Sequence, residues 1–154
     1  MSAPAIRKVL VDSRELRAAV AALFEAVGVS AGHADDIAEV VVFADLRGVE
    51  SHGVQFTPRY VRGILRGHLN PTPDIRVVRR RGSVAVVDAD NGLGFLSTRR
   101  AMREAITIAA EFGSASVAVR NSNHFGPAAF YAMMALEARM IGHVTTEVIA
   151  RSRT

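Results

Sequence analysis

One histidine stands in surroundings that suit proton transfer, and a second lies beside a serine and a glycine. His124 lies in Asn121-Ser122-Asn123-His124-Phe125-Gly126, and His52 in Glu50-Ser51-His52-Gly53. Imidazole exchanges a proton near neutral pH. Asparagine tolerates unusual backbone angles, and its amide can hydrogen-bond a neighbouring ring or a substrate oxygen. Ahead of His124, Ser116-Val117-Ala118-Val119 reads as a buried strand; behind it, Pro127 suits the first turn of a helix. His124 is therefore expected on a strand-to-helix turn, where open α/β sheets present their chemistry. His52 is expected at a helix boundary, a place open to a capping or packing role as well as a catalytic one.

Other chemistries fit less well. Ser51 beside His52 lacks the G-x-S-x-G elbow of a hydrolase, and adjacent helical side chains do not face each other. His33, His68 and His143 read as helix start, loop and strand surface, and no H-x-x-x-H or H-E-x-x-H spacing supports a metal site. Gly92-x-Gly94 looks like part of a dinucleotide fingerprint, but Ser97 or Thr98 stands near where the third glycine belongs. The reading is a tight turn before a helix, so a dinucleotide would need a non-Rossmann arrangement.

The elements that must position these residues follow from periodicity. A first helix has Ser13 as its cap and Leu16, Val20, Leu23 and Phe24 on one face, stopping at Gly28. A second starts near Ser30 or His33, with Ile37, Val40, Val41 and Ala44 as its stripe. A third runs through Tyr60, Val61, Ile64 and Leu65 to Gly67. Asn70-Pro71-Thr72-Pro73 excludes helix. Residues 75–78 and 83–88 read as a strand pair, and residues 90–94 as a turn that accepts positive φ. A long helix over 97–112 follows, with Ala101, Met102, Ala105, Ile108 and Ala109 facing inward. Then come a strand at 115–119, the histidine turn, another helix, and a further strand from 140–144. This pattern is an α/β class, with α+β open: a helical region over 1–70, then an α/β region over 71–154.

Composition narrows the setting. The chain has 154 residues, 49% of them hydrophobic, enough for one core. Cysteine is absent, which excludes disulfides and thiolate chemistry and fits a reducing cytoplasm. The N-terminus is too mixed for a signal peptide, and no apolar stretch approaches the roughly 20 residues of a membrane span. Net charge is +4, almost all of it arginine, with Lys8 the only lysine. The densest run, Arg76–Arg81, has no interleaved aromatics, so a solvated strand end or an interface is the reading over nucleic-acid binding.

Taken together, Asp45-Leu46-Arg47-Gly48-Val49-Glu50-Ser51-His52-Gly53-Val54, Pro58-Arg59-Tyr60, Gly67-His68-Leu69-Asn70-Pro71, Val87-Asp88-Ala89-Asp90-Asn91-Gly92-Leu93-Gly94 and the His124 motif resemble the type-2 malate/L-lactate dehydrogenase family. The resemblance runs from the first helix to about Thr146. It implies a non-Rossmann fold and an NAD- or NADP-dependent dehydrogenase acting on a small 2-hydroxy or 2-oxo acid, typically as a homodimer. It implies that His124 is the acid/base, with His52 as the second active-site histidine. Ser51, Tyr60 and Asn123 would contact substrate, and Thr146 the cofactor. No metal, nucleic acid or membrane is implied.

Two departures stand out. Phe56 occupies a position where several family members carry an arginine suited to a carboxylate, a contact that an aromatic ring cannot make. After Thr146 the family's small polar residues and Pro- and Gly-rich stretch give way to Glu147-Val148-Ile149-Ala150-Arg151. The expectation is a front portion of a longer fold, with little or no activity by itself. A non-catalytic module that self-associates is the competing expectation.

Overall fold

A computed structural model describes residues 9–147. The readings of residues 1–8 and 148–154 lie outside the described residues. Helix α1 (Ser13–Glu25) opens on Asp12, whose carboxylate accepts the amides of Arg14 at 2.8 Å and Glu15 at 3.2 Å. Asp12 is thus the cap and Ser13 the first helical residue. Asp12 wins because its extended backbone turns the carboxylate back over the orphan amides of the first turn. Helix α2 (Ala31–Leu46) buries Ile37, Val40, Val41 and Ala44 completely, as its stripe predicts. It packs on α1 through Val20 and Phe24, while the predicted Leu23 stays exposed. Arg17 bridges the helix pair with both Asp35 oxygens at 2.8 Å.

Two single 3-10 turns, Glu50–His52 and Val54–Phe56, lead into α3 (Thr57–Leu65), which buries Tyr60 and Ile64. Strands β1 (Arg76–Arg81) and β2 (Val84–Asp88) form the expected antiparallel hairpin, with a register irregularity between Val77 and Arg79. The arginine run is therefore itself a strand. Arg80 pairs with Glu111 at 2.7 Å. Helix α4 (Gly94–Phe112) crosses over to β3 (Ser116–Arg120), which pairs parallel to β2 and completes the order β1-β2-β3. Contrary to the buried strand expected there, β3 alternates half-buried and exposed residues, because one face meets α4 and the other meets solvent.

Helix α5 (Ala128–Glu137) follows Pro127 and buries Tyr131 and Ala135. Residues 140–144 do not form the predicted strand. That segment lies against α5 instead, close enough that a Cβ on Gly142 would meet the Ala132 backbone. The core is one cluster, from Val20, Phe24, Ile37 and Val40 through Tyr60 and Ile64 to Leu93, Phe95, Leu96 and Tyr131. Arg99 of α4, only 8% exposed, ties that helix to α2 through Asp36 at 2.9 Å and Glu39 at 2.8 Å.

Candidate active site

The His124 turn is held from four sides. Gly94 donates its N–H to the His124 carbonyl at 3.1 Å. Asn123 Nδ2 donates towards the Gly92 and Asn91 carbonyls at 3.0 and 3.1 Å. Ser122 Oγ lies 2.9 Å from Ser97 Oγ. Tyr131, fully buried, donates its hydroxyl to the Phe125 carbonyl at 2.5 Å. Asn121 and Gly126 take positive φ, 51° and 75°, on either side of the histidine. At Gly126 a side chain would also run into the Phe95 ring. The turn is thus fixed in one geometry by its own neighbours.

His52 is placed by the end of α2. Asp45 accepts the Val54 amide at 2.8 Å and fills the space where a Gly53 side chain would go. Gly53 is therefore what allows the chain to bend tightly enough to bring His52 inward. The rings of His52 and His124 meet with centroids 5.3 Å apart, inclined at 31°. Ser51 Oγ lies 2.9 Å from His52 Nδ1 and so orients that ring.

Tyr60 Oη is 2.8 Å from His124 Nδ1, and the Gly126 amide points at the same nitrogen from 3.3 Å. An amide N–H can only donate, so Nδ1 accepts, Tyr60 donates, and the neutral ring carries its hydrogen on Nε2. Among the described residues Nε2 has no protein partner, which leaves it for a ligand. Partial burial holds the His124 imidazole below its ordinary 6.5, and the charges of His52 and Arg59 push the same way. Burial pushes the Tyr60 phenol up to about 12, so it remains a donor throughout the neutral range.

A cleft of about 450 Å3 opens between α3 and the histidine turn, a size suited to a small ligand. Its walls include Arg59, Tyr60, Arg62, Arg66, Asn123 and His124. Of the residues predicted from sequence, His52, His124, Tyr60 and Ser51 form one connected group. Asn123 lines the cleft, but its amide nitrogen is engaged by the turn at residues 91–92. Thr146 is exposed, with its hydroxyl 3.5 Å from the Glu147 carbonyl and no described contact to the histidine turn. The arginines of α3 were missed. Their signal was present in the spacing 59, 62, 66, which puts all three on one helical face.

The turn at residues 90–94 does not fit the phosphates of a dinucleotide. The Gly92 amide is donated to Ala89 and the Gly94 amide to His124, so neither faces outward. Asp90 and Asn91 supply the positive φ expected of this turn, at 49° and 55°.

Fold and site together define an α/β protein, fronted by helices, in which two imidazoles meet beside a small cleft. The sequence profile of the malate/L-lactate dehydrogenase family matches residues 11–152, and the chain belongs to that family. The match extends past Thr146, where the departure from the family's motifs begins. Malate dehydrogenase of Pyrococcus horikoshii is 50% identical over 116 residues, which are 75% of this chain and 32% of that protein. L-sulfolactate dehydrogenase of Methanocaldococcus jannaschii is 42% identical over 119 residues, 77% of this chain and 35% of that one. The solved structure of the Pyrococcus horikoshii malate dehydrogenase superposes with a TM-score of 0.82 at 44% identity, covering 84% of this chain and 37% of that chain. The chain spans about a third of the length of the curated relatives it matches.

Proposed function

We propose that this chain carries the proton-transfer half of an NAD- or NADP-dependent dehydrogenase for small 2-hydroxy or 2-oxo acids. The observation that supports this most is the meeting of the His52 and His124 rings, which come from distant parts of the chain. The nicotinamide cofactor supplies hydride chemistry; the described residues handle the proton. When the substrate alcohol is oxidised, its hydroxyl proton passes to His124 Nε2. That nitrogen needs a lone pair, so the ring must hold its hydrogen on Nδ1. Tyr60 Oη permits this, because a hydroxyl can accept from Nδ1–H as readily as it donates to bare Nδ1. The Gly126 amide favours the other tautomer, with Nε2–H ready to polarise a carbonyl oxygen. Tyr60 and Gly126 are therefore positioning groups, and His52 is the second imidazole, oriented by Ser51. Burial and the charge of His52 hold the His124 imidazole's proton affinity down, which keeps that ring neutral near pH 7 and able to accept a proton.

Asn123 presents the remaining face of its amide to the cleft, and Thr146 belongs to the cofactor side. The division at residue 70, between a helical region and an α/β region, is part of this reading. The setting is the cytoplasm. By itself the chain has little or no turnover, since it spans only about a third of the length of the dehydrogenases it matches and so holds an incomplete cofactor site. In a full-length enzyme carrying these motifs, replacing the histidine matched to His124 by alanine should lower kcat by roughly 10²–10⁴. An unchanged kcat would remove that imidazole from the reaction.

Self-association is a second strand of the proposal. Leu46, Leu65, Leu136 and Ile141 are at least 60% exposed. Apolar side chains exposed to this degree suit a homodimer contact. Mass measurement during size exclusion distinguishes a discrete dimer from a monomer.

A further inference from the structure

We propose that Arg59 and Arg62 of α3 form the anion-recognising wall of the His124 cleft, with Arg59 taking the carboxylate beside the reacting carbon and Arg62 a second acidic group of the substrate. The inference rests on the hydroxy-acid reading above and deepens it. A 2-hydroxy acid is an anion at neutral pH, and a carboxylate drawn out of water needs a cationic partner. The side chains in ring contact with His124 are His52, Phe56, Tyr60 and Phe125, and none is a permanent cation. Phe56 in particular offers the anion only an aromatic face.

The cation comes from the next turn of the chain. Arg59, Arg62 and Arg66 all line the cleft, and no carboxylate lines it with them. Among the described residues none of the three is in an ion pair, whereas Arg17, Arg80, Arg99 and Arg120 each have a carboxylate partner. Their field is therefore uncompensated and falls on the cleft. Arg59 is near enough for its charge to act on both Tyr60 and His124. Its guanidinium carbon lies 5.9 Å from the Phe56 ring centre, so it sits beside the wall that Phe56 leaves apolar. At about 1.5 Å rise per residue, Arg62 is about 4.5 Å further along the helix and Arg66 about 10 Å. The first interval suits the two acidic groups of a small diacid; the second lies beyond it. The site is thus biased towards 2-hydroxy acids that carry a second acidic group. A phosphate of the nucleotide offers similar chemistry, but the immediate neighbourhood of the acid/base ring favours the substrate.

The test is NMR of the chain, with the His124 ring signals as reporter, during titration with L-malate, L-lactate and inorganic pyrophosphate. Malate should shift the ring saturably and bind more tightly than lactate. Arg59→Gln should weaken malate about tenfold to a hundredfold, Arg59→Lys should recover part of that loss, and Arg62→Gln should erase the preference for malate over lactate. Both arginines are exposed, so melting temperature should hold in each variant and a folding defect would be visible separately. Malate affinity unchanged in Arg59→Gln overturns the arginine wall while the hydroxy-acid reading stands. Pyrophosphate displacing malate and itself depending on Arg59 overturns the substrate assignment of the wall. A His124 ring that neither malate nor lactate moves overturns the reading of the site as well as the wall.

Discussion

The behaviour of His124 is set by what its ring touches. Phe56 and Tyr60 stack near it at 5.9 Å, and His52 stands 5.3 Å away. Burial and the neighbouring positive charges lower its proton affinity together. His52→Gln should therefore raise the His124 pKa towards 6.5, as read from ring chemical shifts against pH. A value that stays put would show that burial and Arg59 set the titration without His52. The same depression has a stability consequence. Because the folded value lies below 6.5, His124 contributes stability above that pH and loses it as pH falls through the folded value. Denaturation midpoints should decline on acidification, and less so in His124→Gln. The flanking residues single out His124, whereas His52 by itself reads as a capping or packing residue and is paired with His124 only by the family resemblance. What the sequence did not disclose is how Asn123 is used: its donors face the 91–92 turn, a partner that only tertiary folding brings near. The arginines of α3 were visible as letters, but their chemistry depends on having no carboxylate nearby, which is a property of the fold.

At the level of elements, α4 begins three residues before the periodicity predicts. Gly94 is the reason. With no side chain it lets the helix start directly beneath the histidine turn, where a Cβ would meet the Asn123 and His124 carbonyl oxygens. Backbone cannot step aside as a flexible side chain can. Gly94→Ala should cost about 1–3 kcal/mol in chemical denaturation and shift the His124 ring signals as well. A fully stable variant with unmoved ring signals would show that this contact is slack. Apolar spacing made the α2 stripe and the β1–β2 hairpin readable in advance, because each is a local pattern meeting one neighbouring surface. The start of α4, the Asp12 cap and the half-exposed β3 were not readable. Each depends on which backbone or solvent lies opposite, and no window of the sequence contains that.

Across the whole molecule, the helices and not the sheet carry the core. The buried cluster runs through all five helices' packing to Tyr131, while the buried β2 residues Ala85 and Val87 lie outside it. The sheet serves instead to carry β3 into the histidine turn and β2 into the 90–94 turn, and these two turns then bond to each other. That mutual bonding leaves the 90–94 turn no free glycine amide for a phosphate: Gly94 donates to His124 and Gly92 to Ala89. A nucleotide held by the described residues would therefore have to bind away from the 90–94 turn. Titration of the purified chain with NADH or NADPH, followed by nucleotide fluorescence, should show no saturation below about 1 mM. Micromolar binding would show that the chain holds the nucleotide somewhere other than the 90–94 turn, and the ring signals of His124 would tell whether that place is the histidine cleft.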